Sequence, residues 1–160
     1  SVFEHLFNDY VTIVSWHDRL GLQLVAAYKN VVSIGCGMLA GKGIARNTQA
    51  IFFTRPCNEM KELLIYAGAD ENTFYTAAGI GDLFLTATST LSRNYSFGQS
   101  LGAGEPVADV RARYPYAEGP QTLLSLHNRQ KSDPWCLPIA SCLYDIIYDG
   151  GDVSLLERVY

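Results

Sequence analysis

Apolar positions along the chain recur mainly at intervals of three and four. Leu20, Leu24, Ala27, Val31, Ile34 and Met38 follow at spacings of 4, 3, 4, 3 and 4, which is one apolar stripe on a helix. Ser15 stands three residues before Asp18 and gives that helix a capping-box-like start. Gly35 and Gly37 weaken its second half, since Gly in a helix costs about 1 kcal/mol against Ala; in a buried helix their use would be close packing. Ala50, Phe53, Cys57, Met60, Leu64 and Ala67 form a second stripe. They predict a long helix with Asn47 as N-cap, a kink at Pro56 and Gly68 as C-cap. Asp70 is placed to cap a short helix ending near Gly79. Another helix follows Ser92 and is stopped by Gly102-Ala-Gly104. Pro106 to Tyr114 reads as one more. Gly119-Pro120 opens the next, with Pro suited to the first helical position. Ile139, Leu143 and Ile146 mark a helix ended by Gly150-Gly151, and Ser154 caps a short last one.

Only Tyr10-Val-Thr-Ile-Val14 reads as a strand, being a short β-branched run. Nothing after it alternates with period two for long. The expected fold is therefore all-α, a multi-helix bundle with a short β stub at its N-terminus. No repeat or low-complexity tract interrupts it.

Composition narrows the function. The chain has 160 residues, 48% of them apolar on a broad count and 18% charged. That suffices for one core without staples. Twelve basic against sixteen acidic residues leave a net charge of −4. Coating a nucleic acid needs clustered Lys and Arg, so that class of partner is excluded. No uninterrupted apolar run approaches the roughly 20 residues of a membrane span. Residue 1 is Ser and no secretory signal pattern follows, so a processed or excised piece is expected. Cys36, Cys57, Cys136 and Cys142 show no CxxC and read as core thiols. His5, His17 and His127 form no HxH or HExxH, so no metal site is expected.

Three stretches could carry chemistry. Gly35-Cys-Gly37-Met-Leu-Ala40 matches a dinucleotide fingerprint, and Glu59 lies about twenty residues on. It is rejected, because the spacing through it is helical and Gly41-Lys-Gly43 falls where a helix should begin. Lys29 with Asn30 interrupts an apolar helix. Alone, Lys29 reads as a snorkelling edge residue; the sharper reading is a partly desolvated amine tuned for proton transfer. The third stretch runs from Gly79-Ile-Gly81-Asp82 through Thr86, Thr88 and Ser89 to Ser92-Arg93-Asn94. Its glycines and hydroxyls do not look like a packing segment. Ser92 alone reads as an ordinary N-cap. The whole stretch reads as an anion site, a helix N-terminus with a guanidinium fork.

These residues resemble the C-terminal, substrate-binding domain of the NAD(P)-dependent sn-glycerol-3-phosphate dehydrogenases, in the bacterial form. The marks are Ala27-Tyr-Lys29-Asn30-Val-Val, Gly37-Met-Leu-Ala-Gly41, Asn47, and Gly81-Asp82-Leu-x-Leu-Thr86-x-Thr88-Ser89-x-x-Ser92-Arg93-Asn94. Gly98 and Ala117-Glu118-Gly119 complete the set, in order, over nearly the whole chain. The family usually carries Gly at Ala26, an aliphatic at Tyr28, an acid at Ala40 and Gly at Ala45.

The resemblance implies a helical bundle like the C-terminal domain of 6-phosphogluconate dehydrogenase over 16–160. It reads 1–15 as the last strand of an N-terminal nucleotide-binding domain. It implies a cytoplasmic oxidoreductase interconverting sn-glycerol 3-phosphate and dihydroxyacetone phosphate. NAD or NADP would be bound mainly by that other domain, with no metal. Lys29 matches the proton acceptor. Lys29, Asn30, Asp82, Ser92, Arg93 and Asn94 match substrate-binding positions. Arg93 and Glu118 match cofactor contacts, and Tyr116 does so by position. The implied partner is the small-molecule substrate, with no nucleic acid and no membrane; a homodimer is compatible with it. Two other readings stand beside this one. A related β-hydroxyacid dehydrogenase would share the helical domain and its Lys, but the Ser-Arg-Asn clamp favours a phosphorylated substrate. A non-catalytic helical interaction module would have no need for Lys29, Asp82 and Arg93 together.

Overall fold

The computed structural model describes residues 11–132 and 135–159. Tyr10 and His5 lie outside the described residues. Among the described residues seven α-helices follow one another: α1 (Arg19–Gly41), α2 (Arg46–Tyr66), α3 (Asp82–Thr88), α4 (Arg93–Gly102), α5 (Val107–Arg113), α6 (Gly119–Ser132) and α7 (Pro138–Tyr148). The expected all-α bundle is what forms. The expected β stub is not shown among the described residues: Val11 makes an isolated bridge and 12–18 are irregular. Val14 is 76% exposed, so no sheet among the described residues buries it.

α1 is the axis. Its N-cap is Asp18, not Ser15, because the Asp18 carboxylate accepts from the Gly21 amide at 2.9 Å. The same carboxylate accepts from the Thr73 hydroxyl at 2.6 Å and the Asp70 amide at 3.0 Å. One side chain thus starts α1 and pins the turn after α2. In the first half of α1 the buried positions are Gly21, Val25 and Tyr28, while Leu20 and Ala27 are exposed. The predicted stripe is rotated by about one residue. From Asn30 to Leu39 every residue is buried, since α2, α3, α4 and α6 all pack around this half. A helix covered on all sides has no single apolar face to read. By length and composition alone α1 could cross a membrane; here it is the core of the bundle.

Gly35 and Gly37 do serve packing. A Cβ on Gly37 would lie 2.1 Å from the Tyr95 carbonyl oxygen, and one on Gly41 2.0 Å from that of Gln99. Reciprocally, a Cβ on Gly98 or Gly102 would lie 2.0 Å from the carbonyl oxygen of Ile34 or Met38. α1 and α4 therefore meet backbone to backbone through glycines placed four apart on both helices.

α2 begins at Arg46, capped by Ala45 without a side-chain bond, so Asn47 is inside the helix. Its buried face is Phe52, Pro56, Glu59, Met60, Leu63 and Leu64. Gly68 ends it with φ +73°, and the Gly68 and Ala69 amides donate to Ile65 and Leu64 carbonyls at 3.1 and 2.9 Å. Glu59 is a carboxylate in the core. It accepts from the Tyr28 hydroxyl and from the first amides of α7, Ile139 at 2.8 Å and Ala140 at 3.0 Å. Burial pushes its carboxyl up against the pull of these three donors. The residue 59 carboxylate is thus a helix cap, and Tyr28, unusual for the resemblance, owes its polar tip to it.

After α2, Asp70 caps a 3₁₀ turn, Glu71–Tyr75, and Thr76 caps a π turn, Ala77–Gly81, that runs directly into α3. The short helix expected to run from Asp70 to near Gly79 ends already at Tyr75, because Thr76 is extended and caps a separate turn. Leu83 and Ala87 are buried, so part of the Gly79–Asn94 stretch does pack, contrary to expectation. Ser92 caps α4, its hydroxyl accepting from the Tyr95 amide at 3.3 Å. α6 starts at Gly119, one residue before Pro120. The last turn, Val153–Arg158, is capped by Asp152 and not by Ser154. Cys36 and Cys142 are buried thiols, and burial pushes Cys36 up to about 12. Cys57 is half-buried and Cys136 exposed, so Cys136 is no core thiol.

Candidate active site

α1, α3 and α4 bring the singled-out residues to one side of the bundle. Lys29 on α1 forms an ion pair with Asp82, the first residue of α3; their side chains are 22% and 38% exposed. The amine is thus half-buried beside a carboxylate, not enclosed in an apolar sleeve. The Thr86 hydroxyl, one turn along α3, donates to the Asp82 carbonyl at 2.7 Å and lies 3.4 Å from Asp82 Oδ1.

Next to this pair lies an open cleft of about 380 Å³, lined by Asn30, Thr86, Ser92, Arg93, Asn94, Tyr116 and Glu118 among others. Lys29 and Asp82 are not in its lining. Asn30 and Thr86 are, and they join the ion pair to the cleft through α1 and α3. Arg93 is exposed at the first position of α4. Its guanidinium carbon lies 5.7 Å from the centre of the Tyr116 ring, within cation–π range.

Asn30 and Asn94 are buried, and much of their hydrogen-bonding capacity is used inside the protein. Asn94 Nδ2 donates to Asn30 Oδ1 at 3.0 Å, and Asn30 Nδ2 donates to Glu118 at 3.2 Å. Asn94 Oδ1 accepts from the Gly119 amide at 2.9 Å. This relay locks α1, α4 and the start of α6 together. Among the described residues it leaves one N–H of Asn94 spare. Ser92 is also committed: it accepts from the Tyr95 amide and lies 3.1 Å from Ser33 Oγ, which donates to the Thr86 carbonyl at 2.8 Å. Ser33 went unread in the sequence. Its signal was a hydroxyl within an otherwise apolar helical run, which marks a polar contact without naming its partner.

What the arrangement can do follows from these parts. An ammonium–carboxylate pair at a cleft edge can pass a proton to a ligand oxygen. A guanidinium beside the unpaired first amides of α4 can hold an anion. The Gly35-x-Gly37 sequence can do neither, since it lies in mid-helix against α4.

Comparison with known proteins fits this geometry. A family model described as "NAD-dependent glycerol-3-phosphate dehydrogenase C-terminus" matches residues 18–156. A glycerol-3-phosphate dehydrogenase [NAD(P)+] of Leuconostoc citreum is 40% identical over 86% of this chain and 41% of its own length. One of Staphylococcus epidermidis is 35% identical over 94% of this chain and 47% of its own. The chain thus spans less than half of these relatives. A crystal structure of glycerol-3-phosphate dehydrogenase from Coxiella burnetii superposes with a TM-score of 0.91 at 26% identity, over 98% of this chain and 49% of that one. With the family model covering most of its length and the solved structure matching its helices, the chain belongs to the NAD-dependent glycerol-3-phosphate dehydrogenase C-terminus family.

Proposed function

We propose that this chain is the substrate-holding part of an sn-glycerol-3-phosphate dehydrogenase that works in the cytoplasm. Residues before α1 then lead in from a nucleotide-binding part. The observation that carries the reading is the Lys29–Asp82 ion pair beside a cleft headed by Arg93.

In this reading Arg93 and the first amides of α4 hold the substrate phosphate, the group that a bidentate guanidinium fits. The spare N–H of Asn94 and the exposed edge of Asp82 orient the hydroxyls. Lys29 Nζ takes the hydroxyl proton in oxidation and returns it to the carbonyl oxygen in reduction. Asp82 keeps the amine aimed at that oxygen. NAD(P) fits this chain only at its edge. The exposed Tyr116 ring, Arg93 and Glu118 offer a flat face and polar groups on the open side of the cleft. When bound, the nicotinamide supplies or accepts the hydride at the substrate carbon. Ser92 and Asn30 support the site by holding α4 and α1 in place.

Isothermal titration tests the reading directly. sn-Glycerol 3-phosphate is expected to bind the chain saturably, with glycerol and 3-hydroxybutyrate far weaker and Arg93→Ala losing the preference. Equal binding of 3-hydroxybutyrate, with no effect of Arg93→Ala, would instead point to a hydroxyacid enzyme.

A further inference from the structure

On the far side of α3 from the substrate cleft lies a second, more enclosed pocket of about 260 Å³. Its floor is Cys36 of α1. Its walls are Ala50 and Phe53 of α2 and Phe84 and Ala87 of α3, closed by Tyr95 of α4. None of these residues takes part in the proposed reaction. Three aromatic rings in so small a space favour a flat aromatic body, which they can meet edge-on or face-on.

Two polar groups in this pocket lack protein partners. Tyr95 is only 7% exposed, and among the described residues its hydroxyl has no hydrogen-bond partner. That hydroxyl keeps contact with solvent, so a ligand oxygen there would take the place of water as its partner. Arg46 lines the same pocket, and among the described residues its guanidinium has no carboxylate partner. Gln49 stands beside it, but its Nε2 already donates to the Ile44 carbonyl at 2.6 Å. Apolar walls, a tyrosine hydroxyl and the exposed Arg46 guanidinium, which has no carboxylate partner among the described residues, define a small amphipathic anion as the complement.

We infer that this pocket is a binding site for a small aromatic carboxylate. The ring lies between Phe53, Phe84 and Tyr95, and the carboxylate meets Arg46. α3 is the shared wall: Leu85, Thr86 and Ser89 at its end line the substrate cleft, while Phe84, Ala87 and Thr88 line the pocket.

The probe is 2-naphthoate, titrated into the chain and followed by amide chemical shifts. Saturable shifts centred on Ala50, Phe84, Ala87 and Tyr95 are expected. Ala50 is exposed, so Ala50→Trp fills the pocket without disturbing the core and should abolish binding. Arg46→Ala should weaken it roughly tenfold or more, the loss of a charge-assisted hydrogen bond. Tyr95→Phe keeps the ring and should weaken it roughly 2- to 10-fold. The uncharged 2-naphthalenemethanol should bind as weakly to the native chain as 2-naphthoate does to Arg46→Ala. Absence of saturable shifts overturns the inference. So does binding that survives Ala50→Trp, or binding lost in Arg93→Ala, which would put the anion in the substrate cleft.

Discussion

In the proposed reading Arg93 meets the substrate before any bond changes, and replacing it by Ala removes that charge. Affinity for a phosphorylated substrate should fall roughly 10- to 100-fold, the loss of a charged hydrogen bond, with turnover of bound substrate little changed. KM and kcat measured in an enzyme carrying this chain check the split. Lys29→Arg keeps the ion pair with Asp82 but should recover little turnover, because a guanidinium does not give up its proton. Both residues were legible in the sequence as charges out of place, one in an apolar helix and one at a helix start. Glu59 was legible only as a rejected ribose ligand. Its partners, Tyr28 and the α7 amides, are 31 and about 80 positions away, and no local pattern carries such a distance. Asn30 and Asn94 were read as ligand groups, whereas most of their bonds go to the helices around them.

At the scale of elements, caps and close contacts decide stability. Glu59→Ala would strand the Tyr28 hydroxyl and two α7 amides in the core. Urea denaturation should show a loss of about 3 kcal/mol or more, and Glu59→Gln, which keeps an acceptor oxygen, a smaller one. The two carboxylates give opposite pH dependences. The Thr73 hydroxyl and the Gly21 amide hold Asp18 below its ordinary value of 3.8. Its contribution is therefore full above 3.8 and is lost as pH falls through the lower folded value. Burial holds Glu59 above 4.5. Its contribution is full below 4.5 and declines as pH rises through the folded value. Thermal midpoints across roughly pH 2 to 7 should show a flatter acid limb in Asp18→Asn. Gly98→Ala would gain helix propensity yet place a Cβ 2.0 Å from the Ile34 carbonyl. The backbones must separate, and a net loss of about 1–3 kcal/mol is expected in the same urea assay. The helices themselves were legible from their spacing. Their facing was not: the second half of α1 is covered all round, and the buried side of α2 carries a Pro and a Glu that apolar periodicity passes over.

For the whole molecule, the bundle supplies its own core, and the purified chain should show cooperative unfolding with a fixed near-UV signature. Its sequence offers no glycine fingerprint outside mid-helix to position a dinucleotide opposite Lys29, and orientation supplies much of an enzymatic rate. The chain by itself should therefore bind the phosphorylated substrate without turning over NADH and dihydroxyacetone phosphate. The most direct test of the account is the turnover of Lys29→Ala in an enzyme carrying this chain, with folding verified by circular dichroism. The account predicts that kcat falls roughly 10²- to 10⁴-fold while KM changes little. Near-normal turnover by the folded variant would contradict it, and would leave Lys29 as nothing more than an edge residue paired with Asp82.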